Sequence, residues 1–350
     1  MHFASDNTAP VPAEIVAALG KANAGHAPAY GADALSVAVR DRLRDIFEAP
    51  EAAVYLVATG TAANALALSV LCPPWAAVFC HRNAHVEEDE CGAPEFYTGG
   101  AKLVLVDGAH AKMTPGALEA AIAATGRTGV HNVQRGMVSL TNATEAGSVY
   151  APAEVAALAG AAGAHDLPVH MDGARFANAL VAAGCSPAEM TWKAGVDALS
   201  LGGTKNGLMG VEAVILFDPA RAWEFELRRK RGGHLFSKHR YLAAQMHAWL
   251  EADRWLTLAR AANASAARLA AGIAAVPGAR LLHPVEANMV FTAFPRAAHR
   301  RLRAAGAQYY FWPADPAPDG PEDEPLTCRL VCSWCTGEDE VAGFLRHLAG

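Results

Sequence analysis

The chain has 350 residues, of which 52% are hydrophobic and 18% are charged. This composition provides a large apolar core and excludes a disordered or fibrous protein. The formal net charge of −6 excludes the strongly basic surface that binding to a phosphate backbone requires, so no nucleic-acid partner is expected.

The first part of the chain alternates short β-rich apolar runs with alanine-rich stretches. The apolar runs predict seven strands, and amphipathic segments such as 115–124, 153–162 and 174–182 predict helices between them. This alternation is typical of an α/β fold with a doubly wound, mainly parallel sheet. The predicted strands cover residues 53–57, 77–80, 103–106, 137–141, 168–171, 198–201 and 211–217.

Residues 52–80 carry no charged side chain, over a length that exceeds the roughly 20 residues needed to cross a bilayer. The turn at Thr59 and Gly60, the polar Asn64 and the pair Pro73-Pro74 divide this stretch into a strand, a turn, a short helix and a second strand. The absence of charge indicates elements that are buried on both sides, as in a sheet covered by helices. No membrane association is therefore expected.

The pattern changes after residue 217, where long helices are expected at about 220–230 and 239–274. Shorter α+β elements follow, at 288–294, 296–304, 308–312, 328–333 and from residue 338, with a Pro-rich and acidic loop at 313–325. We expect three units: a large α/β domain at 1–217, a helical bridge at 218–275, and a small C-terminal α+β domain at 276–350.

The strand at 53–57 runs into Thr59-Gly60-Thr61 and a helix that is expected to begin at Ala62. Free backbone N–H groups and the helix dipole make such a helix start suitable for an anion. Thr61 could equally be an ordinary helix cap. The chain has neither a Walker A loop nor a dinucleotide-binding GxGxxG motif.

Two further strand ends carry charged residues. Asp172 follows the strand at 168–171, where it could cap the next helix or pair with a cation of a ligand. Lys205 lies in a glycine-rich loop after the strand at 198–201, where it could be solvated or could be a desolvated, nucleophilic amine. A phosphate-ready helix start, an Asp and a Lys at strand ends together suit pyridoxal phosphate.

His81 and His85 lie four residues apart before an acidic run, which could indicate a metal site. The spacing is weak evidence and no HExxH motif is present, so no metal is expected. Stacking on an aromatic cofactor suits His85 better.

Cys328, Cys332 and Cys335 could indicate a zinc or redox site, but there is no second CxxC motif, and the alternating pattern favours buried thiols in a strand. Arg329, in the same strand, would be costly to bury without an anion. The odd number of cysteines, seven, and the lack of a leader-like opening predict reduced thiols and a cytoplasmic protein.

The motifs at several strand ends and at both ends of the chain carry a resemblance to one family. The most specific segments are HMDGAR at 170–175 and GGTKNG at 202–207. With them, the chain is similar over nearly its whole length to the low-specificity L-threonine aldolases, which are pyridoxal phosphate enzymes of the aspartate-aminotransferase-like fold (fold type I). The other matching segments are 3–6, 30–33, 59–64, His85 with Glu90 and Gly92, and 329–331.

This resemblance implies the cofactor pyridoxal 5'-phosphate and a role for each site residue. Gly60 and Thr61 would bind its phosphate, His85 would stack on its ring, Asp172 would pair with the ring nitrogen, and Lys205 would form the Schiff base. Arg175 would also lie at the cofactor. The implied substrate-binding residues are Ser5, Tyr30, His85, Thr144, Arg175 and Arg329.

The family's oligomers share active sites between subunits, so the resemblance implies a homo-oligomer, with a dimer of dimers favoured. Tyr30 and the segment 229–233 would then reach a neighbouring subunit's cofactor. A small amino-acid substrate is the other expected partner.

One segment departs from the family pattern. Many members have Glu-Asn-Thr-His after the strand at 137–141, whereas this chain reads Thr141-Asn142-Ala143-Thr144-Glu145. We expect Thr144 to stand in the place of that histidine, which would leave more room for aromatic substrates such as phenylserine. His85 is then the candidate base. The alternative is that Glu145 or a residue of a neighbouring subunit contacts the substrate hydroxyl.

The expected reaction is cleavage of the Cα–Cβ bond of a β-hydroxy-α-amino acid to glycine and an aldehyde. β-Elimination or transamination on the same cofactor is the nearest alternative. A non-enzymatic metal-binding protein built on the cysteine cluster and the two histidines is an alternative of a different class.

Overall fold

The computed structural model describes all residues, 1–350. Its α-helices are α1 (Ala13–Ala22), α2 (Ala34–Ile46), α3 (Gly60–Leu71), α4 (His85–Glu88), α5 (Ala93–Thr98), α6 (Pro115–Ala124), α7 (Pro152–Gly163), α8 (Phe176–Ala183), α9 (Pro187–Met190), α10 (Ala222–Arg231), α11 (Arg240–Leu250), α12 (Arg254–Ala274), α13 (Arg296–Ala304) and α14 (Glu338–Ala349). Its strands are β1 (Ala53–Val57), β2 (Ala76–His81), β3 (Lys102–Val106), β4 (Gln134–Thr141), β5 (Val169–Gly173), β6 (Ala198–Gly202), β7 (Glu212–Leu216), β8 (Arg280–Leu281), β9 (Met289–Pro295), β10 (Tyr310–Phe311) and β11 (Pro325–Val331).

The seven predicted strands all form, and they build one sheet in the order β1-β7-β6-β5-β4-β2-β3. Only β7 runs antiparallel to its neighbours; the pairs among β6, β5, β4, β2 and β3 are parallel. The sequence prediction of a doubly wound, mainly parallel sheet is therefore confirmed.

Both faces of this sheet are buried. Successive residues of β2 divide between two apolar cores, with Phe79 in the larger core and Val78 and Cys80 in the other. All six residues of β2 are buried, which explains why the charge-free stretch at 52–80 forms β1, α3 and β2. The structure contains no helix with the length and apolar character that a membrane crossing needs.

A second, antiparallel sheet has the order β10-β11-β9-β8. Its core includes residues of α12, α13 and α14 together with Phe3 from the start of the chain. The N–H of Phe3 donates to the carbonyl of Gln308, and the carbonyl of Phe3 accepts from the N–H of Val331, both at 2.8 Å. The first residues of the chain are thus held beside β11.

Several elements differ from the sequence prediction. The single helix expected at 239–274 is broken between α11 and α12, where Ala252 and Asp253 both have positive φ; no Gly or Pro marks this break in the sequence. Helices α1 and α2 and the short β8 were not predicted. Strand β11 begins at Pro325, inside the expected loop, because its first residues pair with the end of β9.

The turns after β5 and β6 pack closely against each other. A Cβ atom at Gly202 would lie 2.3 Å from the carbonyl oxygen of Ala174, so only glycine fits there. This contact brings the loop that holds Lys205 beside the turn that follows Asp172. The carboxyl ends of parallel strands meet at one edge of a sheet, which is where a doubly wound fold binds its ligands.

Candidate active site

Two adjoining cavities of about 370 and about 180 Å³ lie at this sheet edge, and Asn7, His85 and Lys205 line both. The first cavity collects the predicted cofactor residues Gly60, Thr61, His85, Asp172 and Lys205. The second collects the predicted substrate residues Ser5, His85, Arg175 and Arg329, together with Glu145 and Trp312.

Helix α3 begins at Gly60, two residues before the expected start at Ala62. Its N-cap is Thr59, whose Oγ1 accepts from the N–H of Ala62 at 3.2 Å, and the carbonyl of Thr59 accepts from the N–H of Ala63. Thr61 is therefore not the helix cap, and the N–H groups of Gly60 and Thr61 remain for a ligand. The helix dipole makes this position favourable for an anion.

Asp172 is buried near the end of β5. One carboxylate oxygen accepts from the N–H of Ala174 at 2.9 Å, and the other accepts from Nδ2 of Asn64 at 2.8 Å. The N-cap position of α8 is Arg175, with no side-chain cap. The alternative role of Asp172 as a helix cap is therefore wrong.

Asn64 connects Asp172 to a second buried carboxylate. Its Nδ2 also donates to Oε1 of Glu90 at 2.8 Å, and burial raises the pKa of Glu90. Asn64 lies in the motif at 59–64, but the sequence did not predict that it bonds to both carboxylates. Nothing in the local sequence indicates that α3, β5 and the α4–α5 loop lie together.

His85 is the first residue of α4. Its Nδ1 lies 2.8 Å from Oε1 of Glu90, and this hydrogen bond raises the pKa of His85. His81 bonds instead to the carbonyl of Gly108 and the N–H of Asn83. The two histidines therefore do not form one site.

Lys205 lies in the turn after β6. Burial lowers the pKa of Lys205, and the charge of Arg175 lowers it further, against the attraction of Asp6, Asp172 and Glu212. An amine with a lowered pKa is neutral, and so nucleophilic, over a wider pH range. The turn is held by Glu212, which accepts from the N–H of Gly203 at 2.5 Å.

Arg175 makes two bonds to Asp6, from Nε at 2.7 Å and from Nη2 at 2.9 Å. Asp6 is buried and also accepts from Asn288 at 3.1 Å. Although burial opposes it, the charge of Arg175 lowers the pKa of Asp6. The contact with Asp6 holds the guanidinium of Arg175 in place.

Arg329 has no comparable anion within the protein. Its Nε is buried without a hydrogen-bond partner, and its guanidinium lies 5.2 Å from the ring centre of Trp312. Burial lowers the pKa of Arg329. The guanidinium of Arg329 therefore has a buried donor free for an anion, as its place inside a strand suggested.

Two predicted substrate residues lie away from both cavities. Thr144 is fully buried, and its hydroxyl bonds to Ser148 at 2.7 Å and to the carbonyl of His110 at 3.2 Å. The expectation that Thr144 faces the substrate hydroxyl is wrong for this geometry, because adjacent side chains of the turn point apart. Glu145 lines the cavity instead.

Tyr30 is half exposed and lines a separate cavity with Arg229. The ammonium of Lys230 lies 5.1 Å from the centre of its ring. Tyr30 therefore does not reach the cavity of its own chain.

All seven cysteines are free; Cys328 and Cys332 are buried and Cys335 is exposed. The three sulfur atoms do not form a close group of potential metal ligands. The prediction of buried thiols is confirmed for Cys328 in β11 and for Cys332 just after it, and is wrong for the exposed Cys335.

Comparison with known proteins gives consistent matches. The family model for beta-eliminating lyases matches residues 2–295. The low specificity L-threonine aldolase of Pseudomonas aeruginosa is 42% identical over 347 residues, which is 99% of this chain and 96% of that protein. A second one, from Pseudomonas sp. (strain NCIMB 10558), is 42% identical over 340 residues, or 97% of this chain and 94% of the relative.

Among solved structures, the threonine aldolase of Leishmania major matches with a TM-score of 0.91 and 27% identity, covering 99% of this chain and 98% of that one. The fold class that the sequence predicted is thereby confirmed.

We expect Asn64→Leu to destabilise the protein by about 1–3 kcal/mol, because it leaves two buried carboxylates without their shared donor. Urea unfolding at pH 7.5 measures this difference. Ser69→Ala is the matched control on the same helix, since the Ser69 hydroxyl bonds only to the carbonyl of Leu66. Equal stability of the two variants would contradict the prediction.

Proposed function

This chain belongs to the beta-eliminating lyase family and, within it, to the low specificity L-threonine aldolases, and on that premise we propose that it is a pyridoxal phosphate-dependent aldehyde-lyase. It cleaves L-threonine, L-allo-threonine and related β-hydroxy-α-amino acids to glycine and an aldehyde. The observation that carries this proposal is the convergence of Lys205, Asp172 and the start of α3 on one cavity.

The chemistry of the donor groups fits the cofactor. Two backbone N–H groups at the start of α3 suit a phosphate, and a buried carboxylate suits a protonated ring nitrogen. A lysine whose pKa is lowered by burial suits covalent attachment to an aldehyde.

Each residue then has a defined task. Gly60 and Thr61 hold the phosphate, Asp172 pairs with the ring nitrogen, Lys205 attaches the cofactor covalently, and His85 lies against the ring. Arg175 supports this arrangement because its positive charge lowers the pKa of Lys205. When bound, pyridoxal phosphate supplies an electron sink for negative charge at the substrate's Cα.

The carboxylate of the substrate binds at Arg329, whose Nε has no partner in the protein. Arg175, held by Asp6, and the hydroxyl of Ser5 line the same cavity. Fixing the carboxylate orients the Cα–Cβ bond for cleavage, and this orientation is a large part of the rate enhancement.

Aromatic substrates such as phenylserine are a second candidate class. Trp312 and Met289 line the second cavity and offer apolar contact to a large β-substituent.

We expect the holoenzyme to release an aldehyde and glycine from L-threonine, L-allo-threonine and L-phenylserine. Borohydride reduction and peptide mapping should place the pyridoxyl adduct on Lys205, and Lys205→Ala should abolish both signals. L-Serine serves as the comparison substrate. Pyruvate or another 2-oxo acid as the main product would favour β-elimination or transamination instead.

Asp172→Asn should lower turnover roughly 10²–10³-fold, the range for loss of one buried electrostatic contact in a transition state. The amide cannot keep the ring nitrogen protonated, although it can still bond to Asn64. Cofactor occupancy, measured from the visible absorbance, should fall much less than turnover. Near-normal turnover at full occupancy would show that Asp172 has only a structural role.

We also infer a homo-oligomer, a dimer of dimers, in the cytoplasm. Large apolar side chains are exposed on the surface, which is typical of protein interfaces; Phe96 is 79% and Trp223 is 72% exposed. Tyr30 and Arg229 line a separate cavity, which supports a role for them in a neighbouring subunit's site.

A mixture of Tyr30→Ala and Lys205→Ala chains tests the shared site. Each variant alone should be nearly inactive, whereas subunit exchange should restore activity, because hybrid oligomers contain some sites with both residues intact. Sedimentation at micromolar concentration should show no monomer. A fully active monomer, or no recovery on mixing, would contradict the inference.

A further inference from the structure

Glu145 lines the second cavity with its carboxyl group. Binding of the cofactor and of the substrate carboxylate does not require this group. Its Oε1 accepts from the backbone N–H of His85 at 2.8 Å. Its Oε2 is buried and has no hydrogen-bond partner. A buried carboxylate oxygen without a donor is costly. This atom is therefore placed to accept a hydrogen bond from a hydroxyl group of a ligand, or to accept its proton.

The surroundings of Glu145 define which part of a substrate it meets. The same cavity is lined by Arg329 and by Lys205. An amino acid that has its carboxylate at Arg329 and its amine toward Lys205 has its β-carbon in the remaining part of the cavity. Glu145 is on that wall, and the backbone bond to His85 fixes its direction.

The other candidate groups are less suitable proton acceptors. The hydroxyl of Thr144 is turned away and bonded elsewhere. The Nδ1 atom of His85 is engaged by Glu90, and this bond raises the pKa of the imidazole, so a larger fraction of it is protonated at neutral pH. Glu90 is itself occupied by His85 and Asn64.

From this geometry, and resting on the proposed function, we propose that Glu145 is the catalytic base that accepts the proton of the substrate's β-hydroxyl group. The O–H bond breaks and its proton passes to Oε2, while its electron pair forms the C=O bond of the aldehyde. The Cα–Cβ bond breaks and its electron pair remains at Cα, where pyridoxal phosphate would supply the electron sink. A proton returned to Cα completes glycine.

The electrostatics agree with this role. Burial, and then the charge of Asp172, raise the pKa of Glu145 to about 7, against the opposing effects of the His85 and Glu145 N–H groups and of the nearby Thr141 hydroxyl. A base whose pKa lies near the working pH transfers protons most effectively. The charged and titratable groups that face this region are Asp172, His85, Lys205, Arg175, Arg329, Glu88 and Asp89.

The test is Glu145→Gln in the holoenzyme. Glutamine keeps an acceptor for the His85 N–H and removes the base, so kcat for threonine cleavage should fall by about 10²–10⁴-fold, the usual contribution of a general base. The decline of kcat/KM below about pH 7 in the parent should disappear in the variant. Glu87→Gln is the matched control, because Glu87 is exposed on α4 and lines neither cavity.

Exchange of the glycine α-proton in D₂O, followed by NMR, separates this role from a positioning role. Glycine has no β-hydroxyl group, so Glu145→Gln should exchange it at close to the parent rate. A parallel loss of exchange and cleavage would overturn the proposal, as would unchanged cleavage or an unchanged acidic limb. If the parent itself releases no aldehyde from any β-hydroxy amino acid, it is the proposed function that fails.

Thermal unfolding of the full chain, at matched cofactor occupancy, gives a readout independent of activity. Burial raises the pKa of the Glu145 carboxyl from 4.5 to about 7 in the folded state. The contribution of this group to the stability of the folded protein is therefore lost as the pH rises through that range. Glutamine does not titrate, so the Tm of Glu145→Gln relative to the parent should rise between pH 5 and 8. A difference that does not change with pH would overturn the proposal.

Discussion

The geometry of the site depends on one side-chain amide. Nδ2 of Asn64 donates to Asp172 and to Glu90, each at 2.8 Å, and so gives two buried carboxylates a shared donor. Because a buried carboxylate is costly without donors, this contact stabilises the burial of both, beside the bonds from the Ala174 N–H to Asp172 and between His85 and Glu90. The bond from Glu90 to His85 then fixes the imidazole. A single residue of α3 is therefore bonded to Asp172 directly and linked to His85 through Glu90.

The charged side chains around the cavity differ in how many of their hydrogen-bonding atoms have a partner in the protein. Asp6 and Arg175 satisfy each other through two bonds and form a fixed part of the wall. Arg329 and Glu145 each keep one buried polar atom without a partner. Since an unpartnered buried group costs free energy in the free protein, a ligand that supplies the missing contact gains that free energy on binding. Both atoms belong to residues that line the second cavity.

The cavity is closed by parts of the chain that are distant in sequence. Phe3 is held beside β11 by backbone bonds, and this places Asp6 next to Arg175 in the turn after β5. Asp6 also accepts from Asn288, just before β9. The salt bridge and the bond to Asn288 consequently link the large sheet to the small one beside the second cavity. A change in the packing of the small sheet would alter the position of Arg175 as well as that of Arg329.

The sequence by itself determined the main architecture and predicted a set of site residues that the structure brings to one cavity, namely Gly60, Thr61, His85, Asp172 and Lys205. Short apolar runs identified all seven strands of the large sheet, because burial between layers of helices favours apolar residues along most of each strand. The chemistry at strand ends identified Asp172 and Lys205, because parallel strands must deliver those positions to one edge. Only the tertiary structure decided that Asn64 joins two carboxylates, that Glu145 and not Thr144 lines the cavity, and that Tyr30 lies elsewhere. These outcomes depend on long-range contacts and on the direction in which neighbouring side chains of a turn point, and neither leaves a periodic signal in the local sequence.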